Sequence, residues 1–204
     1  MSGANRTKML SELVAGIVGQ SLDVKARFFA DNTARLTEVA EMLVNGFGTG
    51  HKVLLFGNGG SAADAQHIAA EFVGRFVPDR PALPALSLST DSSILTSVAN
   101  DYGFDHLFAR QIEALGQPGD TAIAISTSGN SPNVLAGIAA ARSKGMYTIG
   151  LTGEAGGRMA EQVEVVFRVP TRHTPRIQET HIMIGHILCE LVDRLMFPEL
   201  YPQD

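Results

Sequence analysis

Short apolar runs alternate with helical patterns along most of this chain, and this alternation restricts the fold more than any other feature. Five runs of four or five residues are apolar enough to be buried strands, and they cover residues 53–56, 85–88, 121–125, 147–151 and 165–169. Strands that alternate with helices in this way pair in parallel, and helices must cover both faces of the sheet. In such sheets, the loops after the carboxyl ends of the strands bind ligands.

Helical patterns occupy the intervals between these runs and both ends of the chain. Apolar residues at helical spacing over 10–18 and 36–44 predict two N-terminal helices, and the glycines at 46, 48 and 50 end the second one. Further helices are predicted over residues 61–76, 91–100, 105–115, 132–144, 158–162 and 175–196. We therefore expect one domain over residues 1–204. It is a three-layer α/β sandwich with a five-stranded parallel sheet over 51–204, preceded by an N-terminal helical extension over 1–50.

The broad apolar faces of the terminal helices have two interpretations. In the last helix, this face includes Ile184, Ile187, Leu188, Leu191 and Leu195. Such a face packs either against another subunit or, more simply, on the sheet of the same chain. We expect the N-terminal helices to serve packing or oligomerisation.

Charge and composition exclude several classes of protein. The net charge of −5 argues against non-specific binding to nucleic acid or to an anionic membrane surface. No apolar run reaches the roughly 18 residues of a membrane span, and the N-terminus lacks the apolar core of a signal peptide. The single cysteine, Cys189, cannot form an intrachain disulfide, which fits a reducing cytoplasm. A phosphate group on a substrate would have to be held by local hydrogen-bond donors.

The first candidate site is the glycine turn, residues 57–61, which joins the first strand to a helix. Glycines let the backbone approach a ligand, and the N-terminus of the following helix offers free N–H groups. Ser61 is the predicted N-cap, with Asp64 three residues on in a capping-box position. Further along the helix, His67 and Glu71 are four residues apart and share one face. The turn and this pair together suggest a small-molecule active site.

Two alternatives apply to the glycine turn. Gly57, Gly59 and Ala62 match the spacing of the dinucleotide-binding fingerprint. That fingerprint also expects an acidic residue about 20 residues on, at the end of the second strand, whereas Asp91 comes about ten residues too late. The other alternative is an ordinary strand-to-helix turn without a ligand.

The second candidate site is the hydroxyl loop, residues 126–131, which follows the third strand and opens a helix. Ser131 suits the N-cap, and Pro132 suits the first helical position. Hydroxyl groups cluster here, where backbone N–H groups and the helix dipole favour an anion. The loop contains no lysine, so it is not a Walker loop and instead looks like a neutral phosphate cradle. A serine-rich loop that only caps its helix is the alternative.

The third candidate site is the start of the terminal helix, which carries Gln178, His181 and His186. His186 follows Gln178 by eight residues, about 12 Å along the axis and about 80° around it. This separation is long for two ligands of one ion, so by geometry alone His181 pairs more easily with Gln178. Either histidine, taken alone, is more often a core residue or lies at a subunit contact.

Taken together, these motifs resemble the phosphoheptose isomerases, a branch of the SIS domain family, over about residues 47–197. Several separate motifs agree in their order along the chain. They are GNGGS at 57–61, DAQH at 64–67 with Glu71, ANDYG at 99–103, STSGNS at 126–131, LTG at 151–153 with Gly156 and Gly157, and RIQE at 176–179 with His181 and His186. The resemblance implies a five-stranded parallel α/β sandwich in a homotetramer.

The resemblance also implies an activity, the interconversion of sedoheptulose 7-phosphate and D-glycero-D-manno-heptose 7-phosphate. This cytoplasmic reaction begins the synthesis of the activated heptose of bacterial lipopolysaccharide and other surface glycans. It passes through an enediolate, with Glu71 as the implied base and His186 as the implied acid. The implied ligands of one Zn²⁺ per subunit are His67, Glu71, Gln178 and His186, so the resemblance selects His186 over the geometrically preferred His181. The implied substrate contacts are Asn58, Gly59, Gly60, Ser61, Glu71, Asn100, Asp101, Ser126, Thr127, Ser128, Ser131 and Gln178.

Two other kinds of SIS protein are alternatives. One is a non-enzymatic tetrameric scaffold that binds the replication initiator protein, and its ending resembles residues 188–193 of this chain. That scaffold lacks the residues that match Glu71 and His186, and this chain has both. The other is a sugar-phosphate-sensing module of a transcriptional regulator. The first fifty residues are too few and too weakly basic to supply the DNA-binding domain of such a regulator.

Overall fold

A five-stranded parallel sheet forms the centre of the fold. The computed structural model describes residues 3–201. The strands are β1 (Val53–Gly57), β2 (Ala85–Ser87), β3 (Thr121–Ile125), β4 (Tyr147–Gly153) and β5 (Val165–Val169), in the spatial order β2-β1-β3-β4-β5. Every neighbouring pair in this order is parallel. The predicted sheet is confirmed, and each strand end lies within two residues of its predicted position.

Helices cover both faces of the sheet, which confirms the three-layer sandwich. They are α1 (Gly3–Gly48), α2 (Gly60–Val73), α3 (Ser92–Tyr102), α4 (Leu107–Leu115), α5 (Pro132–Ser143) and α6 (Thr174–Met196), with short 3₁₀ turns at Phe104–His106, Arg158–Glu161 and Pro198–Leu200. Helices α1, α2 and α6 pack on one face, against strand residues such as Leu55. Helices α3, α4 and α5 pack on the other face, against residues such as Leu54 and Phe56. Consecutive strand residues therefore enter opposite cores, which is why the strands are apolar throughout.

The N-terminal extension is a single helix of 46 residues, α1, so the prediction of two helices is wrong. Val24 and Phe28 are buried and continue the apolar stripe that Leu36 and Leu43 form further along. The supposed gap between two helices therefore carries core residues at helical spacing. In the described part of α1 before Val24, no residue is buried. Large apolar side chains are exposed there, namely Met9, Leu10, Leu13, Val14, Ile17, Val18 and Leu22.

The last helix, α6, packs mainly on its own chain. Ile184, Leu188 and Val192 are buried in the same core as α1, α2 and one face of the sheet. Only Leu195 of the predicted apolar face is strongly exposed, at 46%. Packing on the sheet of the same chain, rather than against another subunit, therefore accounts for most of this apolar face. Among residues 3–201, no helix combines the length and the apolar character that crossing a bilayer requires.

The strand order reverses between β1 and β3, and this reversal brings two of the candidate sites together. From β1 the chain moves outward to β2, returns past β1 to β3, and then continues outward through β4 and β5. Gly57 at the end of β1 is in register with Ile125 at the end of β3. Ligands bind in the crevice at such a switch point. The glycine turn and the hydroxyl loop both begin at this point.

Candidate active site

The glycine turn enters α2 through Gly59, which has a positive φ of 58° and is the N-cap of the helix. The prediction that Ser61 is the N-cap is therefore wrong. The helix already begins at Gly60, so Ser61 lies inside its first turn and is buried. A Cβ on Gly57 would lie 2.6 Å from the carbonyl oxygen of Ile125, so the two strand ends leave room only for glycine.

Asp64 does not form the predicted capping box. With the N-cap at Gly59, Asp64 lies beyond the first turn of α2 and cannot reach back to it. Within residues 3–201, its Oδ2 is buried and has no hydrogen-bond partner. Burial raises the pKa of Asp64, and the nearby His67 partly opposes this rise.

The hydroxyl loop brings three of its hydroxyl groups together. The Ser126 Oγ lies 3.1 Å from the Ser131 Oγ and 3.4 Å from the Ser128 Oγ. Ser131 is the N-cap of α5 and Pro132 opens the helix, as predicted, but the Ser131 side chain makes no capping bond. Its hydroxyl instead faces Ser126, so the N-terminus of α5 stays available for an anion.

Glycine and a cavity define the shape of the hydroxyl loop. Gly129 has a positive φ of 64°, and a Cβ there would collide with the carbonyl oxygen of Gly156. Thr127 and Ser128 line a cavity of about 290 Å³ that also touches Arg172. At the carboxyl end of the sheet, the loop thus presents a group of hydroxyls next to an open cavity.

A pair of amide side chains joins the two loops. Asn58 in the glycine turn and Asn133 in α5 each donate to the other, over 2.8 and 2.9 Å. Asn133 is 1% exposed, and the sequence analysis missed it. An asparagine in the first turn of a helix is common, and its partner lies 75 residues away, so no local signal marked it. The pair fixes the Asn58 side chain at the switch point.

Asn100 and Asp101 lie at the end of α3, and both are exposed. The Asn100 amide donates to the Asp101 carboxylate over 2.7 Å. Their assignment to the substrate stays a prediction.

Three of the four implied metal ligands meet between α2 and α6. The His67 Nε2 lies 3.0 Å from a Glu71 carboxylate oxygen and 3.4 Å from the His186 Nε2. One ligand atom from each of these residues falls within 4.8 Å of the others. Gly185 allows this meeting, because a Cβ there would collide with the Ile68 side chain of α2. We call these three residues the HEH cluster.

The donor set of the HEH cluster fits a borderline metal ion such as zinc. Two ligands of a tetrahedral zinc ion, each about 2.0–2.1 Å from the metal, are about 3.3–3.4 Å apart. The two Nε2 atoms are separated by a similar distance, 3.4 Å. Burial and then the neighbouring His67 lower the pKa of His186, while Glu71 opposes the shift. A lowered pKa favours the neutral imidazole, which is the form that binds a metal.

The other two residues of the third candidate site take different places. His181 is completely buried, and its Nε2 lies 3.2 Å from the carbonyl oxygen of Thr152. Burial lowers the pKa of His181 to about 4, so it is a neutral core histidine. The Gln178 side chain contacts Gly60 at the start of α2. The geometric preference for His181 is therefore wrong, and the role of Gln178 as a ligand stays a prediction.

Comparison with known proteins agrees with this fold. A model of the SIS domain matches residues 18–153, which include the glycine turn and the hydroxyl loop. The class of the fold is therefore that of a SIS domain.

Individual relatives show to which branch of the SIS domain family the chain is most similar. A phosphoheptose isomerase from Nitratidesulfovibrio vulgaris is 53% identical over 174 residues, which cover 85% of this chain and 84% of that protein. One from Aneurinibacillus thermoaerophilus is 50% identical over 190 residues, which cover 92% of this chain and 96% of that protein. The solved structure of the phosphoheptose isomerase of Neisseria gonorrhoeae matches with a TM-score of 0.85 and 42% identity, over 90% of this chain and 98% of that chain. The chain belongs to the phosphoheptose isomerase branch of the SIS domain family.

Proposed function

We propose that this chain interconverts sedoheptulose 7-phosphate and D-glycero-D-manno-heptose 7-phosphate, on the route to the heptose of bacterial lipopolysaccharide and other surface glycans. The observation that carries the proposal is the HEH cluster, in which two helices bring a carboxylate and two imidazoles together. The family supports the substrate class, because relatives at 50–53% identity are phosphoheptose isomerases.

The hydroxyl loop is the proposed site for the phosphate of the sugar. Its hydroxyl groups and the N-terminus of α5 are neutral donors, which suits a chain with a net charge of −5. Binding the phosphate at this end positions the distant carbonyl end for reaction. The proposed substrate residues are Asn58, Gly59, Gly60, Ser61, Glu71, Asn100, Asp101, Ser126, Thr127, Ser128, Ser131 and Gln178.

Isomerisation between an aldose and a ketose moves a proton between C1 and C2 through an enediolate. Glu71 is the proposed base that removes the proton from one carbon and returns it to the other. His186 is the proposed acid, which donates a proton to the carbonyl oxygen as the enediolate forms. Zinc, held by His67, Glu71 and His186 with Gln178 as the proposed fourth ligand, would supply Lewis-acid stabilisation of the developing negative charge.

We further propose a cytoplasmic homotetramer with one Zn²⁺ per subunit. The row of exposed apolar side chains on α1 supports oligomerisation, because monomers rarely leave such a surface in water. The His67 side chain is 49% exposed, so a neighbouring subunit could close the HEH cluster. The single buried cysteine fits a reducing compartment.

The proposal is tested by incubating the pure protein with sedoheptulose 7-phosphate and following the products by NMR. We expect an aldoheptose 7-phosphate to form, a chelator to stop its formation, and added zinc to restore it. Absence of conversion, with or without zinc, would contradict the isomerase and favour the scaffold that binds a replication initiator. Full activity after complete removal of metal would contradict only the catalytic role of zinc.

A further inference from the structure

Arg80 lies in the segment between α2 and β2, and its side chain is 0% exposed. Its guanidinium makes four hydrogen bonds. The Nε donates to the Asp193 carboxylate over 2.8 Å, and the Nη2 donates to the Glu71 carbonyl over 2.9 Å. The Nη1 donates to the carbonyl oxygens of Phe72 and Pro81 over 2.7 and 3.0 Å. One side chain is therefore bound to two helices at once.

These two helices are the ones that carry the HEH cluster. Glu71 and Phe72 lie in the last turn of α2, so the guanidinium binds the backbone of a cluster residue directly. Asp193 follows His186 in α6 by seven residues, which places it about 10 Å along the axis and on nearly the same face. The Arg80–Asp193 pair thus joins α2 to α6 about two turns beyond His186.

Stability alone does not account for this pair. A buried ion pair is often no more stabilising than apolar residues of the same volume, because both charges lose their hydration. Within residues 3–201, the Asp193 Oδ2 is also buried without a hydrogen-bond partner, so the pair is not optimised for stability. Its planar, multidentate geometry instead fixes the distance and the orientation of the groups that it joins.

We propose that Arg80 is a positioning residue for the HEH cluster: through Asp193 and the Glu71 carbonyl, it sets the spacing of α2 and α6 and so the separation of Glu71 from His186. The inference rests on the proposed function, in which these residues hold zinc and move protons. Residues that support metal ligands typically change metal affinity or activity by about 10–100-fold when they are substituted. Lysine in place of Arg80 keeps the charge but cannot reach Asp193 and the α2 carbonyls in one plane.

The test compares Arg80→Lys and the double variant Arg80→Met, Asp193→Leu with the wild type. The double variant replaces the pair with apolar residues and so guards against simple unfolding. Zinc affinity is measured on metal-free protein by competition with a chromophoric chelator, and kcat and KM are measured with sedoheptulose 7-phosphate. Lys52→Met is the matched control, because it breaks another ion pair, with Asp120, far from the cluster.

We expect both Arg80 variants to bind zinc about 10-fold more weakly or worse, and to lose kcat with little change in KM. The control should keep the wild-type values. Folded Arg80 variants with wild-type zinc affinity and kcat would overturn the proposal, as would recovery of both values in the double variant. If the wild type bound no zinc, the proposed metal site would be contradicted, and the kcat values alone would test the role of Arg80. If the wild type had no isomerase activity, the proposed function would be contradicted, and the zinc affinities alone would test the role of Arg80.

Discussion

Asp120 and the HEH cluster differ in whether the protein itself supplies the hydrogen-bond partners of their ionisable groups. Asp120 is 1% exposed and lies just before β3. Its Oδ1 accepts from the Lys52 backbone N–H over 2.9 Å. Its Oδ2 accepts from the Lys52 Nζ over 2.5 Å and from the Gln117 backbone N–H over 2.8 Å. Each carboxylate oxygen therefore has donors from the protein itself.

The HEH cluster has the opposite character. Its atoms are a carboxylate oxygen and two imidazole nitrogens within 4.8 Å, all of which can accept a proton or bind a cation. The side chain of His67 is 49% exposed, so the cluster is open to solvent. A group that is saturated by its own chain stabilises the fold, whereas a group of converging acceptors is suited to an external cation or substrate. Substitutions should therefore affect stability at Asp120 and catalysis at the cluster.

The largest expected effect comes from Glu71→Gln, which keeps the size of the side chain and removes the proposed base. We expect kcat to fall by about 10³-fold or more, because general base catalysis alone contributes about 10²–10⁴-fold. The fold should persist, because the Glu71 side chain is partly exposed. Turnover is measured by NMR and folding by thermal melting, with Glu113→Gln on the surface of α4 as the control. Near-normal turnover in Glu71→Gln would remove the base from the mechanism.

The second effect is on stability, in Asp120→Ala. We expect the free energy of unfolding to fall by about 3 kcal/mol, because the substitution leaves buried donors without an acceptor. Turnover per folded molecule should not change. Urea denaturation measures the free energy of unfolding, and the NMR assay measures turnover. A loss of turnover without a loss of stability would contradict the assignment of Asp120 to stability rather than catalysis.

The Asp120 contribution also has a defined pH dependence. Burial on its own would raise the pKa of Asp120, but hydrogen bonds from Lys52 and Gln117 outweigh it and hold this pKa below its ordinary value. The stabilisation is therefore present above the unfolded-state pKa of about 3.9 and is lost as the pH falls through the folded value. The difference in stability between wild type and Asp120→Ala should shrink only below about pH 4.

Local patterns in the sequence predicted the fold well. Each strand is a short apolar run with polar or glycine-rich flanks, and this signal needs no knowledge of distant contacts. The helix boundaries at 132 and 174–175 followed from Pro132 and Pro175. The exception was α1, where the apolar stripe is sparse around Val24 and Phe28 and the two halves looked like separate helices.

Spacing alone predicted the site only where its residues are close in the sequence, and the family resemblance had to supply His186. His67 and Glu71 are four apart, so helical geometry alone paired them. His186 lies beside His67 and Glu71 only because α6 packs closely against α2 at Gly185, and this is a tertiary contact. For the same reason, spacing along one helix wrongly favoured His181. Asn133 was missed because only the folded chain brings it to Asn58.

The smallest expected effect concerns His181, which shares α6 with His186 but is a buried, structural group, with one ring nitrogen 3.2 Å from the Thr152 carbonyl oxygen. Its folded pKa of about 4 lies below the ordinary value of 6.5, so the unfolded chain binds more protons between these values. Stability is therefore fully present above about pH 6.5 and declines as the pH falls toward 4. From pH 7.5 to pH 5, we expect His181 to cost the wild type about 2 kcal/mol of unfolding free energy.

His181→Gln should lack this pH-dependent loss, because glutamine can donate to Thr152 but does not titrate in this range. Urea denaturation at the two pH values measures the difference, with the exposed His106→Gln as the control that should follow the wild type. An equal decline in wild type and His181→Gln would mean that His181 takes up its proton in the folded state. The contrast between a structural histidine and the cluster histidine five residues further along the same helix would then not hold.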